Sequence, residues 1–279
     1  PTKGKRKRGK KSQVVPTGKM VLVAPAAGTP TRSISTGTDE CDSPGGGSLG
    51  TPQVGEALRL GYRCAEPLVY RRPDGAFGPL PAVQTQRSGS EAALVKGILE
   101  RSGRRVNFRS GNGTLSELRA LLTVGCDLVH FSGHGLPQSL SFELEGRAEL
   151  DVCTEETLGR LVAAGGHRTK VVFLAACDSE RPGKALARMG IPHVVCVRAG
   201  ARLSDRTARS FAEQFYDALC RGKTVREAFD VATAVDEQGA YRLLPAGACY
   251  KHDTVICDDS SEESQGAQIE TPRLCPVRG

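Results

Sequence analysis

The chain has 279 residues, enough for one sizeable core with extensions or at most two small domains. Its net charge of +7 is matched by Lys3, Lys5, Arg6, Lys7, Arg8, Lys10 and Lys11 alone, so the remainder is close to neutral and a uniformly basic nucleic-acid-binding domain is excluded. No apolar run approaches the roughly 20 residues that span a bilayer, and the ten cysteines include no CxxC pair, which leaves a zinc ribbon or thioredoxin site unsupported.

Residues 1 to 57 are rich in Lys, Gly, Pro, Ser and Thr and read as a disordered segment. Its basic run at residues 3 to 11 suits nuclear import or nucleic-acid association, against the plainer reading of a solvated arm. The chain starts at Pro1, which we read as a fragment or processed piece with upstream domains missing. Residues 58 to 258 then alternate short apolar runs with amphipathic stretches, the pattern of a parallel sheet covered by helices. Expected strands are Leu58 to Arg63, Val106 to Arg109, Leu128 to Ser132, Lys170 to Ala176 and His193 to Arg198. Expected helices are Glu91 to Ser102, Leu115 to Thr123, Glu155 to Ala164, Gly183 to Met189, Asp205 to Cys220 and Val225 to Asp236. Thr114 with Glu117 reads as a capping box, Thr154 as a second N-cap, and Ser141 to Glu145 as an edge strand. Phe211, Phe215, Tyr216 and Leu219 recur at helical spacing and read as core. Residues 259 to 279 form an acidic tail of the same disordered character as the start.

Two segments carry chemistry, each an apolar strand that ends abruptly in small and reactive residues: Asp127-Leu-Val-His-Phe-Ser-Gly-His-Gly135 and Lys170-Val-Val-Phe-Leu-Ala-Ala-Cys-Asp-Ser-Glu180. In open α/β sheets, sites form beyond the carboxyl ends of strands, where His134 and Cys177 would face one another if the two strands are neighbours. A thiolate, not a thiol, attacks a carbonyl, and an imidazole can take the thiol proton and later protonate the leaving amine. The N–H groups of Gly135 and Cys177 are the expected oxyanion donors, with Gly133 and Gly135 letting the backbone turn sharply there. From the residues alone, three readings stay open: a Cys-His hydrolase, a packed structural His and Cys, and a metal pair of His130 and His134 lacking a third ligand. No cofactor and no metal are implied.

Val129-His-Phe-Ser-Gly-His-Gly135 followed by Phe173-Leu-Ala-Ala-Cys-Asp-Ser179 resembles the CHAT domain, a branch of the caspase, separase and gingipain group. The resemblance continues through Ile191-Pro-His-Val-Val-Cys-Val197, the run from Leu203 to Tyr216 and the run from Leu219 to Phe229, and Glu66-Pro-Leu-Val-Tyr70 fits the family's first strand region. It implies an α/β caspase-like three-layer sandwich, a mainly parallel six-stranded sheet with helices on both faces. It also implies a His-Cys dyad at His134 and Cys177 and a cysteine endopeptidase acting on a protein or peptide substrate, regulated by a domain or protein missing from this chain. Ala175 stands where the family often carries Asn, and Asp178-Ser179-Glu180 where Ser-Gly is frequent, so a differently shaped loop is expected after Cys177. The alternative is a catalytically silent CHAT-fold interaction module.

Two acids are candidates for substrate binding. Separase-like relatives cut after basic residues with an acid in the corresponding region, so Asp205 would pair with Arg or Lys, against the competing reading that Asp205 or Ser204 caps a helix. Asp178 would line the pocket or orient His134, against the reading of a solvated loop acid. His130 reads as packed and hydrogen-bonded, and His167 and His193 as without chemistry. Cys126, Cys177 and Cys196 in apolar surroundings suggest a reducing cytosol or nucleus.

Overall fold

The computed structural model describes residues 57–80, 88–136, 138–247 and 250–257. The basic run at residues 3 to 11, the expected disordered segments and the acidic tail lie outside the described residues.

Along the chain the elements are β1 (Leu58–Ala65), β2 (Val69–Arg71), β3 (Phe77–Pro79), α1 (Ser88–Arg101), β4 (Val106–Asn112), α2 (Leu115–Val124), β5 (Leu128–Gly133), β6 (Gly135–Leu136), β7 (Ser139–Glu143) and β8 (Leu150–Cys153). They continue with α3 (Glu155–Gly165), β9 (Val171–Ala175), α4 (Glu180–Arg188), β10 (His193–Val197), α5 (Asp205–Cys220), α6 (Val225–Thr233) and β11 (Tyr241–Leu244). The main sheet has six strands in the order β11-β10-β9-β5-β1-β4. All its pairs are parallel except β10 with β11.

The central strands β5, β9 and β10 are apolar at most positions because both of their faces are covered, as parallel sheets require. Successive side chains point to opposite faces, so each strand feeds two cores. Leu60, Tyr62, Val171, Phe173, Val195 and Val197 pack with residues of α1, α5 and α6. Val129, Phe131, Val172, Leu174, Val194 and Cys196 pack with residues of α2, α3 and α4. The α/β three-layer arrangement expected from the sequence is thereby present, and the four aromatic or aliphatic positions Phe211, Phe215, Tyr216 and Leu219 are core residues of α5.

Several local expectations change. The Thr114 hydroxyl caps α2 by accepting the Glu117 N–H at 3.2 Å, but the Glu117 carboxylate does not reach back to close the box. It accepts instead from Arg63, a guanidinium only 5% exposed, at 2.8 Å. A buried cation without a counter-charge is costly, so the tertiary partner wins over the local one. The reciprocal capping box forms at α6, between Thr224 and Glu227. Helix α4 starts at Glu180, three residues before the expected Gly183, because Pro182 falls in the first turn where its missing N–H costs nothing. Helix α6 ends at Thr233, short of Asp236, whose carboxylate accepts the Tyr241 N–H at 2.9 Å and so starts β11. The expected edge strand lies at Ser139–Glu143 and belongs to a separate antiparallel sheet, β6-β7-β8, set directly after β5.

Candidate active site

Strands β5 and β9 are adjacent and parallel, with Ser132 opposite Ala175. His134 and Cys177 each follow two residues later, so both leave the same carboxyl edge of the sheet at the same level. His134 occupies the single position between the end of β5 and the start of β6. Its carbonyl accepts from the Ser141 N–H at 3.3 Å and from the Ser141 hydroxyl, so β7 fixes the loop from outside. Both candidate residues are partly exposed, whereas the strands that carry them are buried.

The approach of the two segments is close. A Cβ placed on Gly135 would lie 1.4 Å from the Cys177 carbonyl oxygen and 2.9 Å from its nitrogen. Gly133 is similarly confined, 2.9 Å from the Ala65 carbonyl oxygen. Neither glycine has a positive φ, so what both positions require is space for a close backbone approach. Gly135 is the point where the His134 loop rests on the Cys177 backbone.

Cys177 sits in the turn between β9 and α4, and the three residues after it form a clamp. Asp178 adopts φ 54°, a region that Asp tolerates better than most residues. Its carboxylate accepts the Gly200 N–H at 2.6 Å. The Ser179 hydroxyl, fully buried, accepts the Val197 N–H at 2.9 Å, and the Glu180 carboxylate accepts the Ala199 N–H at 2.9 Å. Hydrogen bonds from the Lys184 ammonium and then from Ala199 hold the Glu180 carboxyl below the usual carboxylate range. Three consecutive side chains thus draw the segment after β10 toward Cys177, and the Leu203 N–H reaches the Cys177 sulfur at 3.3 Å. This clamp is what the departure at Asp178-Ser179-Glu180 builds. Asp178 spends one carboxylate oxygen on the loop, while Asp205 stands two residues beyond Leu203 at the start of α5. The cap of α5 is Ser204, whose hydroxyl accepts the Thr207 N–H at 3.1 Å, so the capping role does not fall to Asp205.

Beneath the edge lies a polar cluster of which only His130 was expected. The Glu91 carboxylate, 4% exposed, accepts from the Ser132 hydroxyl at 2.8 Å and from the Tyr62 hydroxyl at 3.0 Å. It faces His130 Nε2 at 3.5 Å, and His130 Nδ1 meets the Tyr216 hydroxyl at 2.9 Å. Burial pushes the Glu91 carboxyl upward, but hydrogen bonds and charge from His130, with those from Ser132 and Tyr62, outweigh it and hold the group below the carboxylate range. His130 stacks between Tyr62 and Phe173 at centroid distances of 4.7 and 4.6 Å. It is a packed, hydrogen-bonded residue, as expected, and the cluster anchors β5 two residues before His134. No group of three or more metal-ligating side chains occurs among the described residues.

His193, at the start of β10, is buried and hydrogen-bonded. Its Nδ1 meets His252 Nδ1 at 2.8 Å, its Nε2 meets the Thr254 hydroxyl at 2.8 Å, and His252 Nε2 meets the Pro245 carbonyl at 3.0 Å. Because the Pro245 oxygen only accepts, one neutral tautomer set satisfies all three contacts. His252 Nε2 donates to Pro245, His193 Nδ1 donates to His252 Nδ1, and Thr254 donates to His193 Nε2. Burial, then the neighbouring His252, lowers the His193 pKa to about 4.

The family model for the CHAT domain matches residues 26–235, three quarters of the chain. The chain belongs to the CHAT domain family. The resemblance drawn from the His134 and Cys177 segments is thereby borne out. This CHAT chain is 27% identical over 137 residues to a Roc-COR-CHAT protease of Runella zeae, covering 48% of this chain and 15% of that protein. It therefore spans a small part of that relative's length. Among solved structures, the Arg-specific cysteine proteinase gingipain R is similar with a TM-score of 0.45 at 12% identity, covering 64% of this chain and 42% of that one. The pyridoxal kinase of Staphylococcus aureus is similar with a TM-score of 0.29 at 11% identity, covering 65% and 87%. No helix among the described residues is long and apolar enough to cross a membrane.

Proposed function

We propose that this CHAT domain is a cysteine endopeptidase with His134 and Cys177 as its catalytic pair. The observation that carries the reading is the in-register delivery of both residues to one edge by adjacent parallel strands, with Gly135 seated on the Cys177 backbone. His134 takes the proton from the Cys177 thiol, and the sulfur attacks the peptide carbonyl. The N–H groups of Gly135 and Cys177 receive the oxyanion, and losing one such donor typically costs roughly 3 to 4 kcal/mol of transition-state stabilisation. The His134 imidazolium then protonates the leaving amine, and water cleaves the thioester with His134 again as base. The Leu203 N–H at 3.3 Å offers the sulfur a hydrogen bond that strengthens as negative charge develops on it.

Asp205 is the acid we assign to a basic P1 side chain, since Ser204 caps its helix and Leu203 brings the start of α5 to the sulfur. Asp178 is assigned to holding the loop that carries them. The protein partner is a peptide substrate, with control from a unit outside this chain, as the much longer Runella zeae relative suggests. The test is a peptidyl acyloxymethyl ketone probe on the parent, Cys177→Ala and His134→Ala chains. Labelling confined to Cys177 and lost in both variants is expected. Equal labelling of the His134→Ala chain rejects the dyad.

A further inference from the structure

At the opposite end of the sheet from His134 and Cys177, the structure forms a groove of about 610 Å³. This falls within the range of sites that hold a drug-sized ligand or short peptide segment. The groove lies between the turn at residues 166–170, which follows α3, and the segment Met189 to Pro192, which follows α4. One wall presents aliphatic surface from Met189 and Pro192, backed by the buried Val162 and Ile191. Met189 is exposed and unbranched, so it adapts its shape to a bound side chain. The other wall carries the cations Arg168 and Lys170, with His167 beside them.

The single carboxylate in the lining, Asp127, is committed to the fold. It is 5% exposed, accepts the Arg59 N–H at 3.0 Å and pairs with Arg168 Nε at 3.3 Å. That pairing offsets Arg168 and leaves the exposed Lys170, which has no ion pair among the described residues, as the uncompensated charge of the groove. The floor holds Thr169, 3% exposed, whose hydroxyl has no hydrogen-bond partner among the described residues. An aliphatic wall facing an excess positive charge fits one chemistry: a carboxylate next to a large aliphatic side chain.

We propose that this groove binds an acidic peptide segment in which an Asp or Glu adjoins a Leu-like residue, with the carboxylate on Lys170 and the aliphatic side chain against Met189 and Pro192. The site is separate from the proposed dyad, and its occupancy does not depend on catalysis. Both β5 and β9 begin at this groove, directly after Asp127 and Lys170, and end at the candidate active edge. A ligand here therefore bears on the two strands that carry His134 and Cys177.

The probe is a fluorescein-labelled hexapeptide with a central leucine–aspartate pair, compared by anisotropy with the same peptide carrying asparagine. Binding is measured on the full chain bearing Cys177→Ala, so that turnover plays no part. The aspartate peptide is expected to bind about tenfold or more tightly than the asparagine peptide, the worth of one charge-assisted contact. Lys170→Glu should erase that preference. Ala163→Trp, which places a bulky ring at an exposed helical position lining the groove, should weaken both peptides. Equal binding of the two peptides, or parent-like binding by both variants, overturns the proposal. Displacement by succinate at the concentration of unlabelled peptide overturns the assignment to a peptide and identifies the occupant as a small anion.

Discussion

Gly135→Ala tests the packing on which the candidate site depends. The added methyl would lie 1.4 Å from the Cys177 carbonyl oxygen, 2.4 Å from the carbonyl carbon and 2.9 Å from the nitrogen, all backbone atoms that no rotamer change can move away. Ordinary carbon contacts lie at about 3.5 Å or more, so the His134 loop or the turn after β9 must retreat by roughly 2 Å. The loop is held by Ser141 and the turn by Gly200, Val197 and Ala199, so the strain spreads to both segments. Overpacking of this kind costs about 1–3 kcal/mol of stability. A displacement of about 1 Å at a reacting centre costs around 100-fold in rate, and the dyad would be moved by more than that. The expected result is a Cys177 labelling rate at least about 100-fold below the parent under a peptidyl ketone probe, with a urea midpoint lowered only modestly. A variant that labels within about threefold of the parent, far above the 100-fold loss, would refute the argument that Gly135 sets the geometry of His134 and Cys177.

Removing the Glu91 carboxylate as Glu91→Ala orphans the Tyr62 and Ser132 hydroxyls and the facing His130, and should cost about 3–5 kcal/mol in urea unfolding. Glu91→Gln, which keeps the shape and one acceptor, should cost about 1–2 kcal/mol, and a loss under about 1 kcal/mol for the alanine variant would show the cluster to be unimportant. The His193 pair should make the fold acid-sensitive. The folded pKa is depressed to about 4, so the neutral pair's contribution is complete above the unfolded value near 6.5 and is lost as pH falls from there toward 4. Urea midpoints of the parent should therefore drop more between pH 7 and 4 than those of His193→Gln, and parallel curves would sink this reading. For Asp205→Ala, stability should change by less than about 1 kcal/mol because Ser204 holds the cap. Cleavage profiling should lose preference for basic P1 residues, and an unchanged profile removes Asp205 from the pocket.

The centre of the main sheet was legible because β5, β9 and β10 are buried on both faces and read as largely apolar runs between amphipathic helices. Strand β11 was not, since Tyr241-Arg-Leu-Leu is four residues long and gains its place by pairing with β10, a contact of distant segments. The helix cap at Thr154 follows from local chemistry and appears as expected, and of Asp205 and Ser204 it is Ser204 that caps α5. The box at Thr114 fails because the distant Arg63 claims Glu117. At the site, the reactive residues announce themselves at strand ends, but their supports do not. Glu91 lies 41 residues before Ser132 with no motif to join them. The signal available was weaker: His130 and Ser132 alternate on one face of an apolar strand, and two buried polar groups there demand partners. The Cys177 contact with Leu203 uses a backbone N–H, which no side-chain pattern marks.

The most direct measurement is a crystal structure of the chain reacted with a peptidyl aldehyde. A hemithioacetal on the Cys177 sulfur is expected, its oxygen about 2.7–3.1 Å from the Gly135 and Cys177 N–H groups. The His134 imidazole should lie within hydrogen-bond reach of the adduct. An unreacted Cys177, or an adduct whose oxygen faces away from both N–H groups with His134 turned from the sulfur, would contradict it.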